Sequence, residues 1–526
     1  MKKNLYIILL SFIAIAVYAD NRQGIDFYKA GEPTIASRLF EKQLSSSPAE
    51  QAEALYYLGE IAFDENKTFE ALANYQKGWT TFPDYAYNKV GEGKVLLKTD
   101  KSTAQKAFDA AIKINKKDAS VYVAIAKAYS MNGMEAEAQA ALDNAKKYNA
   151  NDPAIYLYEG DLLISKDKPG DAAGRYEQAI HFDPACKEAY IKYANVYQGV
   201  TPTLSIEMLQ KVISNYPDYL PAYCHLGNIY SLQGNYPKAV AAYKTYMAGG
   251  LYSTDNLVHY ASALFFNKQY AESGKIISEG QAIDPDNFLL KRLAIYNDYE
   301  SKAYEKGLEE IETFFNNRDA KYIWQDYLYY GRLLNKAKQY DQAADALQKA
   351  IKESSSHTEI YKDLAEVYSN SENNAEAIKA YTQYIEALGE ESEAADYYQL
   401  GKYYYTAAAK DSIAAQKYLF KADSLFAIVK ERVPDSHLGS LWQARTQSQL
   451  DPETEQGLAK PYYESCIPIL EKNKEKYSNE LTECYRYLGY YYYLKQDMDN
   501  SKIYWNKILS IDPSNATAQE ALKNIK

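Results

Sequence analysis

Histidine, cysteine and tryptophan are scarce in this 526-residue chain, with five, four and four copies. None of the histidines, His181, His225, His259, His357 and His437, belongs to an H-E-x-x-H pair or lies near a C-x-x-C, so the common zinc signatures are absent. Four cysteines are too few for a disulfide scaffold. Glycine and proline, 24 and 16 residues, are too sparse for a fibrous or disordered chain. Positive charge is not in excess: 59 basic against 70 acidic residues give a net charge of −11 and leave no basic footprint for nucleic acid. No apolar run after the N-terminus approaches the ~20 residues of a membrane-spanning helix. No Ser/His/Asp arrangement stands out. Val90-Gly91-Glu92-Gly93-Lys94 has two glycines and a lysine of a phosphate loop but lacks the third glycine and the preceding strand. The composition therefore points away from catalysis, and neither a metal nor a cofactor is expected.

The N-terminus does carry a signal. Lys2 and Lys3 precede an apolar run from Leu5 to Val17, and Val17-Tyr18-Ala19 offers small residues where a signal peptidase cuts. Residues 1–19 read as a signal peptide, with Asp20 opening the mature chain; an uncleaved anchor is the alternative. The first cysteine is Cys186, so no lipid-attachment cysteine follows the run. The mature protein is expected in the periplasm, or alternatively secreted or at the cell surface.

Tyrosine is abundant, 55 residues against 15 phenylalanines. A tyrosine buries its ring while its hydroxyl finds a polar partner or water, which suits thin layers. A period explains the layers. Small residues recur at Ala36, Ala71, Ala104, Ala138, Ala172, Ser205, Ala239, Ser273, Gly307, Ala343 and Ala377, spaced 33 to 36 apart, then at Ala422, Ala459 and Ser501. Four residues on comes a large side chain, as in Phe40, Tyr75, Phe108, Tyr176, Tyr243, Tyr381, Phe426 and Trp505. Twelve residues earlier lies a Gly or Ala, as in Gly24, Gly59, Gly160, Gly227 and Gly331. Proline often follows twelve later, as in Pro48, Pro83, Pro184, Pro285, Pro434 and Pro513. Each repeat reads as two amphipathic helices, the small residue marking their close approach and the proline ending the second.

Tyr223-x-x-Leu226-Gly227-x-x-Tyr230, followed by Ala239 and Tyr243, resembles the tetratricopeptide repeat (TPR), with Tyr in place of the first Trp. Tyr485-x-x-Leu488-Gly489-x-x-Tyr492 with Pro513, and Tyr156 with Gly160, Ala172, Tyr176 and Pro184, are similarly close. The resemblance implies an all-α, right-handed superhelical solenoid of about fourteen repeats over residues 20–513, closed by a polar helix from Ala516 to Lys526. A different helical-hairpin array, of HEAT or Sel1-like kind, is the alternative. Residues 20–388 read as an array of about eleven repeats and 389–526 as a C-terminal array with lengthened ones. About nine extra residues separate Gly401 from Ala422, and Asp451–Gly457 forms a long loop. The repeat around Gly307 matches weakly, so a bend or split is expected near residues 286–320 and again near 388–400.

The resemblance implies a non-catalytic scaffold that binds a partner protein or peptide in a concave groove lined by first helices. A module for glycan or peptidoglycan fragments is the alternative. Two stretches of groove are candidates. Asn195 and Asn228 follow the Gly/Ala position in successive repeats, where an amide can donate to and accept from a peptide backbone. Lys192, His225 and His259 lie beside them, and the two histidines could face each other across the groove. Ile191 replaces the clamp lysine of repeats that hold an acidic chain end. In the C-terminal third, Tyr398, Lys402, Tyr405, Arg445, Arg486, Tyr490 and Tyr493 are expected on one concave side, a mixture typical of protein hot spots. Cys466 and Cys484 fall on adjacent helices and could form a disulfide. The partners are expected to be envelope proteins, not nucleic acid, with no membrane span in the mature chain.

Overall fold

The computed structural model describes residues 21–525; the expected signal peptide lies outside them. Among the described residues the regular structure is helical. Twenty-eight α-helices succeed one another as fourteen antiparallel pairs, and a last helix, Ala516–Asn524, closes the chain. This is the TPR-type solenoid.

The periodic residues explain why the pairs form. The second-helix aromatic lies directly on the glycine sixteen residues before it. A Cβ built on Gly24, Gly59, Gly160, Gly227 or Gly489 would stand 2.4 to 2.8 Å from a ring atom of Phe40, Tyr75, Tyr176, Tyr243 or Trp505. The glycine is a seat for the ring, so the helices close to packing distance without a void. Gly401 seats Phe426 in the same way at 2.7 Å, although they are twenty-five residues apart. The nine extra residues lengthen the two helices, Ala394–Lys410 and Ala415–Arg432, to 17 and 18 residues and leave the contact in place.

The turn inside each pair also repeats. In the pair Leu220–Leu232 and Tyr236–Met247, Gly234 has φ of 69° and the Asn235 N–H donates to the Tyr230 carbonyl at 2.8 Å. That is a Schellman closure, which calls for a left-handed residue after the helix. Asn66, Asp167, Lys268, Lys302, Lys338, Glu372 and Gln496 occupy the equivalent position with positive φ. At the other end, Ser47 and Glu50 form a capping box ahead of Pro48.

The chain divides into two compact units, Met1–Leu293 and Ala294–Lys526. The division falls in the weakly matching repeat around Gly307. Near residue 389 the chain makes a short 3-10 turn, Gly389–Glu391.

The N-terminal unit closes on itself. Phe27 of the first repeat meets Tyr246 edge-on, with centroids 6.4 Å apart. Lys187 pairs with Asp26, and Lys29 with Glu188 at 3.4 Å. The Asn256 amide donates to Glu32 at 2.9 Å, and the Arg38 guanidinium to the Tyr252 carbonyl at 2.6 Å. Phe27, Ile35 and Phe40 belong to the same buried cluster as Tyr190, Tyr230 and Tyr246. The first repeat is thus wedged against the sixth, seventh and eighth.

Among the described residues, two large buried clusters lie in the C-terminal unit. One gathers Leu328, Leu347, Leu364 and Tyr381; the other gathers Tyr463, Cys466, Tyr485, Leu488 and Trp505 under the closing helix. The loop Asp451–Gly457 is ordered by the Asp451 carboxylate, which accepts from the backbone N–H of Gln456 and of Gly457 at 3.1 and 2.7 Å.

Candidate partner-binding surfaces

In the C-terminal unit, four of the seven expected groove residues converge on Trp442. Helix Ala394–Lys410 presents Tyr398, Lys402 and Tyr405 at one-turn intervals, and helix Leu438–Leu450 presents Trp442 and Arg445. Tyr398 and Tyr405 meet the indole edge-on, with centroids 5.8 and 5.2 Å away. The Lys402 ammonium stands 5.8 Å from the rings of both Tyr398 and Trp442, and the Arg445 guanidinium 4.9 Å from the indole. Cations at this range are attracted by the ring quadrupole. Arg445 also makes a two-pronged pair with Glu483, at 2.9 and 2.7 Å, and Glu483 accepts from the Tyr463 hydroxyl at 3.1 Å. Burial raises the hydroxyls of Tyr398 and Tyr405 above the usual tyrosine value, so both remain neutral donors.

The other three residues belong to helix Ser478–Leu494. Arg486 is exposed, and so are Tyr490 and Tyr493, at 42 % and 40 %. They continue along the helix from Glu483 at spacings of three, four and three residues, which keeps them near one face. Sequence reasoning missed Trp442, Glu483 and Tyr463. A rare tryptophan three residues before a groove arginine was the available signal.

In the N-terminal unit the two asparagines have different surroundings. Asn195 is exposed. Asn228 accepts the Tyr243 hydroxyl at 2.6 Å. Lys192 pairs with Asp161 at 2.8 Å. His225 bonds through Nε2 with the Ala30 carbonyl at 3.1 Å, and burial holds its pKa below the usual histidine value. The wedged first repeat therefore covers part of this stretch of groove, and His225 packs against it.

Three stretches of the chain match family models for the tetratricopeptide repeat: residues 21–85, 208–241 and 334–398. The chain belongs to the tetratricopeptide-repeat family. Among solved structures, the C-terminal part of a TPR repeat-containing protein from Cytophaga hutchinsonii is 31% identical and covers 50% of this chain and 99% of its own, with a TM-score of 0.45. A TPR protein from Parabacteroides merdae, 15% identical, covers 47% of this chain and 98% of its own at a TM-score of 0.34. PilF of Pseudomonas aeruginosa, 16% identical, covers 41% and 97% at 0.35. No match is found among curated proteins.

Two further features have TPR packing roles. Gly91 and Gly93 lie in helix Tyr87–Leu96, where a Cβ on either would stand 2.4 Å from Tyr75 or Phe108, and Lys94 pairs with Glu60 at 2.7 Å. The apparent phosphate loop is therefore a first helix of the array. Cys466 and Cys484 are fully buried neighbours with free thiols, and the Cys484 thiol is pushed up by its hydrogen bond to Cys466 and by burial.

Proposed function

We propose that this TPR protein is a non-catalytic interaction scaffold of the cell envelope, exported through residues 1–19, that holds a partner protein on the Trp442 face of its C-terminal unit. The n-region, apolar run and Ala19 support export. No helix among the described residues is long and apolar enough to cross a membrane. The observation that carries the binding surface is the junction of two kinds of residue. Trp442 and its surrounding Tyr398, Lys402, Tyr405 and Arg445 are already held in place by one another, while Arg486, Tyr490 and Tyr493 beyond Glu483 are exposed. A rigid aromatic–cation patch beside exposed Tyr and Arg is the composition that dominates binding energy at interfaces. A partner with carboxylates would satisfy the cations.

The test avoids residues that hold the unit together. Arg486→Ala, Tyr490→Ala and Tyr493→Ala together should leave the melting curve within a few degrees of wild type. Truncations of hot-spot Tyr and Arg cost ~2 kcal/mol or more, about thirtyfold in affinity. Partner identified by crosslinking in intact cells should therefore be recovered poorly with the triple variant and normally with Asn195→Ala. The reverse pattern would move the site to the N-terminal unit, and unchanged recovery from both would place it off the groove.

Export would also expose the cysteine pair to oxidation. We propose that Cys466 and Cys484 become linked in the exported protein. Closing so short a loop stabilises by about 3 kcal/mol in the chain-entropy account. A non-reduced digest of periplasmic protein should contain the crosslinked peptide; full alkylation of both thiols without reduction would rule the bond out.

A further inference from the structure

Self-closure of the N-terminal unit turns its groove into a lumen. Six successive first helices, Asn21–Lys29, Pro48–Asp64, Tyr87–Leu96, Ala119–Ser130, Pro153–Ser165 and Lys187–Tyr197, contribute to one cavity of about 380 Å³. That is near the lower bound of small-molecule sites, about 300 Å³. A cavity of this size suits a small molecule.

Its charges are almost entirely spoken for. Glu60 holds Lys94 at 2.7 Å, Glu188 holds Lys29 at 3.4 Å, and Asp161 holds Lys192 at 2.8 Å. Glu53 accepts from the Asn21 amide at 2.9 Å and from the Tyr85 hydroxyl at 3.4 Å. Lys127 is different. It lines the cavity, is exposed to it, and has no ion pair or hydrogen bond through its ammonium among the described residues. Its charge is felt by both Glu60 and Glu188, which places it near both of these lumen carboxylates. Tyr56, Tyr57 and Tyr87 also line the cavity, and among the described residues their hydroxyls make no hydrogen bond. Burial pushes the Tyr57 hydroxyl up to about 12, so at neutral pH it is a donor. Val90, Val123, Ala124 and Leu157 supply apolar wall.

What the lumen offers a ligand is thus one ammonium, three phenol donors, aromatic rings and an apolar wall, with every carboxylate already engaged. We infer that it binds a small organic monocarboxylate, the carboxylate on Lys127 and the tyrosine hydroxyls, the body against the rings. A phosphate monoester carries about −1.5 to −2 charges at pH 7. One free cation would leave the excess beside Glu53, Glu60, Asp161 and Glu188, so a monoanion is favoured.

The experiment is calorimetry on the full-length chain with hexanoate, benzoate and N-acetylphenylalanine, beside benzamide and phenyl phosphate. At least one monocarboxylate should bind, with benzamide and phenyl phosphate at least tenfold weaker. Lys127→Met should weaken that binding at least tenfold while circular dichroism and melting stay as in wild type. The Arg486→Ala, Tyr490→Ala, Tyr493→Ala variant should bind the carboxylate normally, because its changes lie in the other unit. No binding by any of the three, equal binding to Lys127→Met, or tighter binding of phenyl phosphate would overturn the inference without touching the scaffold reading. If Lys127→Met misfolds, Lys127→Gln takes its place under the same criteria.

Discussion

Replacing Lys94 by methionine is expected to destabilise the N-terminal unit by about 3–5 kcal/mol, the usual cost of removing one partner of a buried ion pair. The Lys94 and Glu60 side chains are only 4% and 11% exposed, with nitrogen and oxygen 2.7 Å apart. The Tyr75 hydroxyl donates to the same carboxylate at 2.6 Å, and the ammonium lies 4.1 Å from the Phe63 ring centroid. Without Lys94, Glu60 is a desolvated charge left with the Tyr75 hydroxyl and the more distant Lys127 ammonium. Converting both residues, Lys94→Met with Glu60→Gln, removes the charges together and should return most of the loss, since the glutamine oxygen still accepts from Tyr75. Acid dependence gives a second reading. Burial alone would raise the Glu60 pKa, but Lys94 and the Tyr75 hydrogen bond outweigh it and hold it below the ordinary 4.5. A depressed carboxylate contributes stability above its unfolded value and loses it as pH falls through the folded one. Wild type should therefore lose this contribution below about pH 4.5, and the double variant should not. In Lys94→Met the sign reverses: burial now dominates, and acid should narrow the gap to wild type. Urea titrations across pH measure this, with hydrogen exchange locating the weakened helices. A Lys94→Met protein as stable as wild type at pH 7 would show that the pair contributes nothing.

The same buried hydroxyl explains what was legible in the sequence. The repeat gave the helix pairs because each carries its own packing rule: a ring, and a seat sixteen residues before it. The rule extends one position further. Where the ring is tyrosine and the seat glycine, the residue after the glycine accepts the hydroxyl: Glu60 for Tyr75, Asp161 for Tyr176, Asn228 for Tyr243. Asn228 looked like a peptide-binding amide, yet its oxygen satisfies its own repeat. The signal lay fifteen residues downstream, in Tyr243. Where the ring is not a tyrosine, the position is released. Lys402 and Tyr490 follow glycines that seat Phe426 and Trp505, and Lys127 follows Ala126. These three face the Trp442 cluster, solvent and the lumen. The closure of the N-terminal unit had no such local rule. Rotation between neighbouring repeats is small, and only its sum over six repeats brings Ala30 to His225. A one-repeat motif cannot encode that sum, so His225 was read as open groove.

Gly227→Ala is expected to unsettle the seventh and eighth repeats although it adds only one methyl group. The new Cβ would lie 2.7, 2.8 and 2.9 Å from three ring atoms of Tyr243, closer than carbon atoms tolerate. Tyr243 is fully buried and cannot swing into solvent. Either the helices part or the ring tilts, and a tilted ring gives up the 2.6 Å bond to Asn228. Overpacking costs about 1–3 kcal/mol, and stranding a buried hydroxyl about 1–3 more. The loss should spread beyond the pair. Tyr246, one turn along the same helix, is buried against Phe27 and bonds Asn256 at 2.9 Å, so loosening that helix also loosens the wedge that closes the unit. Amide exchange should accordingly quicken in Asn21–Lys29, about two hundred residues from the change, as well as in Leu220–Leu232. The chain already contains a compatible combination in Ala126 with Leu142, sixteen residues apart and both buried. Gly227→Ala with Tyr243→Leu should therefore recover much of the melting temperature lost by Gly227→Ala alone. Neutral behaviour of the single variant would mean that Tyr243 does not rest on this glycine. A double variant no better than the single would mean that the ring's hydroxyl, rather than its seat, is what the repeat cannot do without.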